Sequence, residues 1–296
     1  MKKFSLILFF AALVIFNISA QSKIEDGSNP KAGKYINICD IKIYYESYGE
    51  GEPLLLLHGN SGSIENFIYQ IPELSKYFKV IAIDSRAQGR STDSEKEITY
   101  ALMASDMAEL IDKLNLGKVN VVGWSDGGNI GLELAFSYPE KVIKVVTFGA
   151  NYTHENYLAP PDSVIMLPDD PLIIRSSAMI KRYFTSFDRL SPDTTRKVKI
   201  QKKLVELMEK YPNFTPDQLH TINIPFLIVV GDHDLININQ TVALFNNLPK
   251  AQLFVVPGAS HLVPVEYSEL INTTVIKFLK TPYRDIDRYY FIKIPK

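Results

Sequence analysis

The chain has 296 residues, 46% of them hydrophobic and 22% charged, with 32 Lys and Arg against 33 Asp and Glu. That composition supports a sizeable core, arranged as one large domain or two small ones. A formal net charge of -1 with no long basic run argues against nucleic acid as a partner, because counterion release needs a clustered cationic face.

Lys2 and Lys3 open the chain, residues 4–18 are almost wholly apolar, and Ser19-Ala20 offers a small-residue cleavage point before Gln21. This is the pattern of a secretory signal segment over residues 1–20, and its apolar run is short for a bilayer span. It predicts an exported protein, periplasmic or secreted, with no stable membrane insertion after cleavage; an uncleaved anchor is the alternative. Cys39 is the single cysteine, so no intramolecular disulfide can form. Its place within the strand-like run 36–41 predicts a buried structural thiol.

Two strand-like runs follow, at 35–38 and 41–48, with Asp40 at the turn between them. Short continuous apolar runs then recur at 53–57, 80–83, 119–122, 142–148, 226–230 and 253–256. Runs rich in Val, Ile and Leu fit strands buried on both faces of a parallel sheet. Helical patterns lie between most of them, at 64–76, 100–114, 128–137, 240–248 and 264–279. The alternation predicts an α/β fold: a mostly parallel, twisted sheet with helices on both faces. One stretch breaks it. Residues 152–224 show no buried strand, several prolines, and helical patterns at 173–184 and 194–211. They are expected to form a helical cap inserted into a core of residues 21–151 and 225–296, over the strand ends where such sheets bind ligands. The tail from Thr281 carries no legible role.

The chemistry is concentrated at the ends of the apolar runs. Gly123-Trp124-Ser125-Asp126-Gly127 follows a strand pattern and precedes a helix, the strand–turn–helix context that gives G-x-S-x-G its meaning. Ser125 is therefore the candidate nucleophile. His58-Gly59-Asn60-Ser61-Gly62 ends the run 53–57, and an oxyanion hole draws one donor from such a loop and one from the residue after the nucleophile. The backbone N–H groups of Asn60 and Asp126 are the candidates, with His58 as a structural residue of the loop. A base is expected last in the chain. Of the five histidines, His261 alone follows the final strand pattern. For the acid, Asp232 and Asp234 both follow the run 226–230, and spacing does not choose between them. No His, Cys and carboxylate cluster has metal-ligand spacing, so neither metal nor organic cofactor is expected.

With these residues in order, the chain resembles the α/β-hydrolase superfamily over nearly all of its length past the signal segment. Asp84-Ser85-Arg86-Ala87-Gln88-Gly89-Arg90-Ser91 is similar to the family's D-x-R-G-x-G-x-S loop, with Ala87 where Gly is usual. In that family the acid is the last residue of G-x-x-D, so the resemblance selects Asp234. A narrower resemblance, carried by Gly-Trp-Ser-Asp-Gly-Gly at 123–128 and Phe148-Gly149-Ala150-Asn151, is to the biphenyl-hydrolase-like, or valacyclovirase-like, serine hydrolases. Those enzymes cleave α-amino acid esters, which implies Asp126, with Trp124 beside it, as substrate-binding residues. An Asp at a helix N-terminus is equally explained by the helix dipole and capping. The expected activity is carboxylesterase-like hydrolysis of a small-molecule acyl substrate through a Ser125–His261–Asp234 acyl-enzyme mechanism. Cleavage of a thioester, lactone, amide or C–C bond by the same residues is an alternative, as is a catalytically silent receptor for a small ligand.

Overall fold

The computed structural model describes residues 29, 31–155 and 171–286 of the protein; the expected signal segment 1–20 and residues 287–296 of the tail lie outside the described residues. Strands β1 (Gly33–Ile38), β2 (Ile41–Tyr48), β3 (Pro53–Leu57), β4 (Lys79–Ile83), β5 (Val119–Trp124), β6 (Val142–Phe148), β7 (Phe226–His233) and β8 (Ala251–Ser260) form one eight-stranded sheet. Its order is β1-β2-β4-β3-β5-β6-β7-β8, with β1 and β2 antiparallel to each other, β2 antiparallel to β4, and every pairing from β4 to β8 parallel.

The continuous apolar runs follow from this arrangement. Successive side chains of a strand point to opposite faces, so Leu55 and Leu57 of β3 enter one core while Leu54 and Leu56 enter the other. Ile81 and Ile83 against Val80 and Ala82 in β4, and Ile228 against Leu227 and Val229 in β7, divide in the same way. The first core is closed by α2 (Tyr100–Lys113), α3 (Asp126–Ser137) and α7 (Ile238–Asn247), through residues such as Met107, Ile130 and Leu244. The second is closed by α1 (Ile71–Leu74), α8 (Val263–Glu266) and α9 (Ser268–Lys280), through Ile71, Val265 and Ile271. A strand covered on both faces has no solvent side, so it needs no polar alternation.

Between β6 and β7 the described elements are helical: α4 (Pro171–Leu190), a short 3-10 turn (Thr194–Arg196), α5 (Lys197–Lys210) and α6 (Pro216–His220). The last was not expected from periodicity, yet its signal is present in the sequence. Thr215 accepts from the N–H of Gln218, Gln218 returns a bond to Thr215, and Pro216 opens the helix, which together make a capping box.

Several expectations are corrected. The single helix expected over 64–76 is a 3-10 turn (Ile64–Phe67) followed by α1, in which Pro72 lacks the N–H a continuous helix would require of it. The helix expected over 264–279 is interrupted at Tyr267 and divides into α8 and α9. Cys39 is not buried. It occupies the β1–β2 turn at φ 45°, is exposed, and donates its thiol to Glu109 Oε2 at 2.7 Å. A tight hairpin places a positive-φ residue there, and the residue at its tip faces solvent. The adjoining Glu109 carboxylate pushes the thiol pKa up, which disfavours the reactive thiolate. Ala87, at the position usually held by Gly, takes φ 65°, so the loop after β4 forms despite the side chain.

Candidate active site

The candidate residues come together because all follow the carboxyl ends of parallel strands. Asn60 lies just after β3, Ser125 directly after β5, Asp234 directly after β7 and His261 directly after β8. The sheet's order turns at β3, from which β4 lies on one side and β5 on the other. Such a switch point opens a crevice above the strand ends.

Ser125 occupies a strained position, φ 55° and ψ -120°, between β5 and α3. Its N–H still donates to the carbonyl of Phe148 at 2.7 Å, so the turn is tied to the neighbouring strand. Gly127 lets α3 start against the end of β3: a Cβ there would lie 1.9 Å from the carbonyl oxygen of Leu57. That close approach brings the loop after β3 up to the turn that carries Ser125. As the first residue of α3, Asp126 has no preceding helical carbonyl for its backbone N–H. Neither that N–H nor the N–H of Asn60 has a hydrogen-bond partner among the described residues.

His261 Nδ1 lies 2.7 Å from Asp234 Oδ1, and the same oxygen accepts from the N–H of Ile236 at 2.9 Å. Asp232 is engaged elsewhere, with His233 and the N–H of Gly258. The geometry thus pairs His261 with Asp234 and separates two aspartates that spacing could not. Gly149 makes room for the pair: a Cβ there would lie 2.6 Å from His261 Nδ1 and 2.8 Å from Asp234 Oδ2. The loop carrying His261 is held by Glu266, which accepts from the N–H and hydroxyl of Ser260 at 2.8 and 2.7 Å, and by the indole N–H of Trp124, donated to the carbonyl of His261 at 3.0 Å. Sequence reasoning did not single out Glu266. A carboxylate six residues past a loop serine carries no signal of its own.

His58 has the structural place expected of it. Its Nε2 accepts from the N–H of Ser85 at 3.0 Å and its Nδ1 lies 2.7 Å from the carbonyl of Gly59, which fixes a neutral ring with the proton on Nδ1. Burial holds its pKa down at about 4. Neighbouring Asp84 accepts from the N–H groups of Ile64 and Arg90, yet burial raises its pKa to about 6. The two act on stability with opposite signs. The contribution of His58 is complete above the unfolded pKa of 6.5 and is lost as pH falls through 4. That of Asp84 is complete below 3.8 and is lost as pH rises through 6. The wild-type slope therefore hides both, and the difference from a variant reveals one. In denaturant unfolding, His58→Gln should gain on the wild type by about 3 kcal/mol between pH 7 and pH 4. A pH-independent difference would mean that His58 protonates alike in folded and unfolded chains.

Ser125 and His261 line one cavity of about 380 Å³, together with Gly59, Asn60, Trp124 and the apolar side chains of Met179, Phe184, Met208 and Leu262. Trp124 is thus where a substrate-contacting residue would be. Asp126 is not. Its buried carboxylate is absent from the cavity lining among the described residues, and its bonds leave its own helix. One oxygen accepts from the hydroxyl of Tyr100 at 2.7 Å and the other from the side-chain amide of Asn60 at 2.9 Å. Asp126 lies in the first turn of α3, where the helix dipole favours an acid, but its side-chain bonds go to Tyr100 and Asn60 and not to a capping N–H. Among the described residues no group of three or more His, Cys, Asp or Glu could hold a metal ion.

Comparisons with known proteins agree with this architecture. Residues 52–178 match the family model described as alpha/beta hydrolase fold. The chain is 27% identical over 272 residues to a putative non-heme chloroperoxidase of Synechocystis sp., covering 82% of this chain and 97% of that one. It is 35% identical over 136 residues to the human serine hydrolase BPHL, covering 44% of this chain and 45% of that one. Among solved structures it is similar to a meta-cleavage product hydrolase from Pseudomonas fluorescens, with a TM-score of 0.70 and 21% identity, covering 85% of this chain and 98% of that one. Sheet order, strand-end site and family match agree: the chain has the α/β-hydrolase fold.

Proposed function

We propose that the protein is an exported serine hydrolase that cleaves uncharged carboxylic esters of small molecules with apolar acyl groups. The observation that carries this reading is Ser125, on its strained turn, sharing an apolar cavity with a His261 that is already bonded to Asp234. Ser125 attacks the carbonyl carbon while His261 takes its proton, and Asp234 holds the ring and stabilises the imidazolium. The backbone N–H groups of Asn60 and Asp126 meet the oxyanion. Collapse expels the alcohol, protonated by His261, and leaves an acyl-Ser125. His261 then removes a proton from water, the hydroxide equivalent attacks the acyl carbon, and Ser125 leaves as its alcohol with the acid as product.

The cavity supports the substrate class. Among the described residues its polar lining comes from Asn60, Asn66, Tyr183, Ser125 and His261, with no Lys, Arg, Asp or Glu. Burying an unpaired ammonium or carboxylate there costs several kcal/mol, which disfavours α-amino acid esters as well as dicarboxylate substrates. The helices between β6 and β7 supply Met179, Tyr183, Phe184 and Met208 to the cavity, and so serve as a specificity cap. Export rests on residues 1–20, and N-terminal sequencing of the protein recovered from its native cell fractions tests it.

The test of function is a panel of p-nitrophenyl esters, acetate to octanoate, beside aminoacyl esters of matched size. Simple acyl esters should be turned over at least about tenfold more efficiently in kcat/KM than their α-amino counterparts. A preference for the aminoacyl series would refute the uncharged-substrate reading. Failure of every ester, with no labelling by a fluorophosphonate, would refute the hydrolase reading itself.

A further inference from the structure

The two residues proposed to supply the oxyanion donors are 66 positions apart and lie on different strand ends, yet their side chains are bonded directly to each other. Asn60 Nδ2 donates to Asp126 Oδ2 at 2.9 Å. A two-donor hole works only if both N–H groups converge on one oxygen, and errors of an ångström forfeit much of the stabilisation. We propose that the Asp126 carboxylate is a strut: a positioning residue that fixes the distance between the two oxyanion donors and does not bind a substrate cation. The inference rests on reading Ser125 as the nucleophile.

Both ends of the strut are anchored. Asp126 Oδ1 accepts from the hydroxyl of Tyr100, the first residue of α2 and itself buried, so the carboxylate cannot rotate without breaking a second bond. Around Asn60 every polar group but one is engaged. Its Oδ1 accepts from the Ser61 hydroxyl at 2.8 Å. Its amide also donates to the carbonyl of Leu204 on α5 at 3.1 Å, and its carbonyl accepts from the Tyr183 hydroxyl on α4 at 2.7 Å. The group left over, among the described residues, is the backbone N–H. A residue bound on every side except the one that faces the chemistry is preorganised for that chemistry.

The network also accounts for a carboxylate where a cavity-lining residue was expected. Burial raises the Asp126 carboxyl pKa, and its Tyr100 and Asn60 donors act against that rise. A group held only for helix capping would bond the N–H groups of its own helix, whereas the two Asp126 oxygens bond Tyr100 and Asn60. A partner for a substrate ammonium would open onto the cavity, and among the described lining residues it does not appear.

The experiment is steady-state kinetics on p-nitrophenyl butyrate for wild type, Asp126→Ala, Asp126→Asn, Asn60→Ala and the double variant Asn60→Ala/Asp126→Ala, with Ser125→Ala in parallel. Removing the strut from either end should lower kcat about a hundredfold with KM within about threefold, as for loss of one oxyanion donor. The double variant should be no slower than the worse single one, because both remove the same bond. Inhibition by a trifluoromethyl ketone, which mimics the tetrahedral oxyanion, should weaken by the same factor as kcat. Asp126→Asn can still accept from Asn60 and donate to the Tyr100 oxygen, so it should stay within about fivefold of wild type with unchanged substrate preference. Asn60→Ala keeps the backbone N–H and carries the test if Asp126→Ala fails to fold. The strut is overturned if Asp126→Ala or Asn60→Ala retains wild-type kcat, if the two losses multiply, or if the loss falls on KM for ammonium-bearing esters alone. A wild type no faster than Ser125→Ala would overturn the nucleophile reading and the strut together; an active wild type matched by Asp126→Ala would overturn the strut alone.

Discussion

Ser125→Ala should lower kcat on p-nitrophenyl butyrate by on the order of 10⁴-fold or more, and should abolish labelling by a fluorophosphonate. KM should change little, because only one hydroxyl is removed from a cavity whose walls are otherwise untouched. The size of the loss follows from the proposed mechanism. Without the hydroxyl no acyl-enzyme forms, and His261, Asp234 and the N–H groups of Asn60 and Asp126 can assist only a water that lacks a fixed place. The backbone gives a reason to expect an intact fold. Ser125 sits at φ 55°, where any residue with a Cβ is strained, and Ala carries the same Cβ. Ala87, at φ 65°, shows that alanine is accommodated in this conformation elsewhere in the chain. Unfolding free energies should therefore agree to within about 1 kcal/mol, since the strain is common to both side chains. A variant that kept wild-type turnover would remove Ser125 from the mechanism and leave the cavity as a binding site.

Much of this arrangement was legible in the sequence, for reasons that can be named. Strands buried on both faces must be apolar at every position, so runs such as Leu54-Leu55-Leu56-Leu57 mark the sheet without any help from tertiary context. The order of Ser125 and His261, each placed after a strand pattern, then located the strand ends where the candidate site lies. Local interruptions were harder to read, because apolar periodicity runs across the gap between Phe67 and Ile71 although Pro72 lies just beyond it. Least legible were contacts whose partners are remote. Nothing at position 126 announces Tyr100 and Asn60, 26 and 66 residues away, and the helix-end argument for an Asp was sound but incomplete. Cys39 was misread for a related reason. A two-residue turn between strands keeps their composition and reveals itself only in φ.

The second large effect concerns the pair that spacing left open. Asp234→Ala should lower kcat on the order of 10⁴-fold, whereas Asp232→Ala should leave it within about threefold, measured on the same ester. The contrast rests on partners. Asp234 Oδ1 is the atom beside His261 Nδ1, while Asp232 is engaged by His233 and Gly258 at the exposed end of β7. Asp234→Asn should lie between them, and the reason is local. In a triad whose Asp accepts only from the imidazole, an Asn can turn its amide to that nitrogen and impose the wrong tautomer. Here Oδ1 also accepts from the N–H of Ile236, which requires an acceptor at that position and so keeps the Asn oxygen facing His261. The tautomer survives and only the charge that stabilises the imidazolium is lost, so a decrease of about 10²- to 10³-fold is expected. The Asn amide then takes the place of Oδ2, a buried atom with no hydrogen-bond partner among the described residues, close to Gly149. A donor left unpaired there costs about 1–3 kcal/mol of stability, which thermal unfolding would register. An Asp234→Asn variant as slow as Asp234→Ala but fully stable would show that the amide had turned to pair with His261, and that the tautomer is the larger part of what Asp234 supplies.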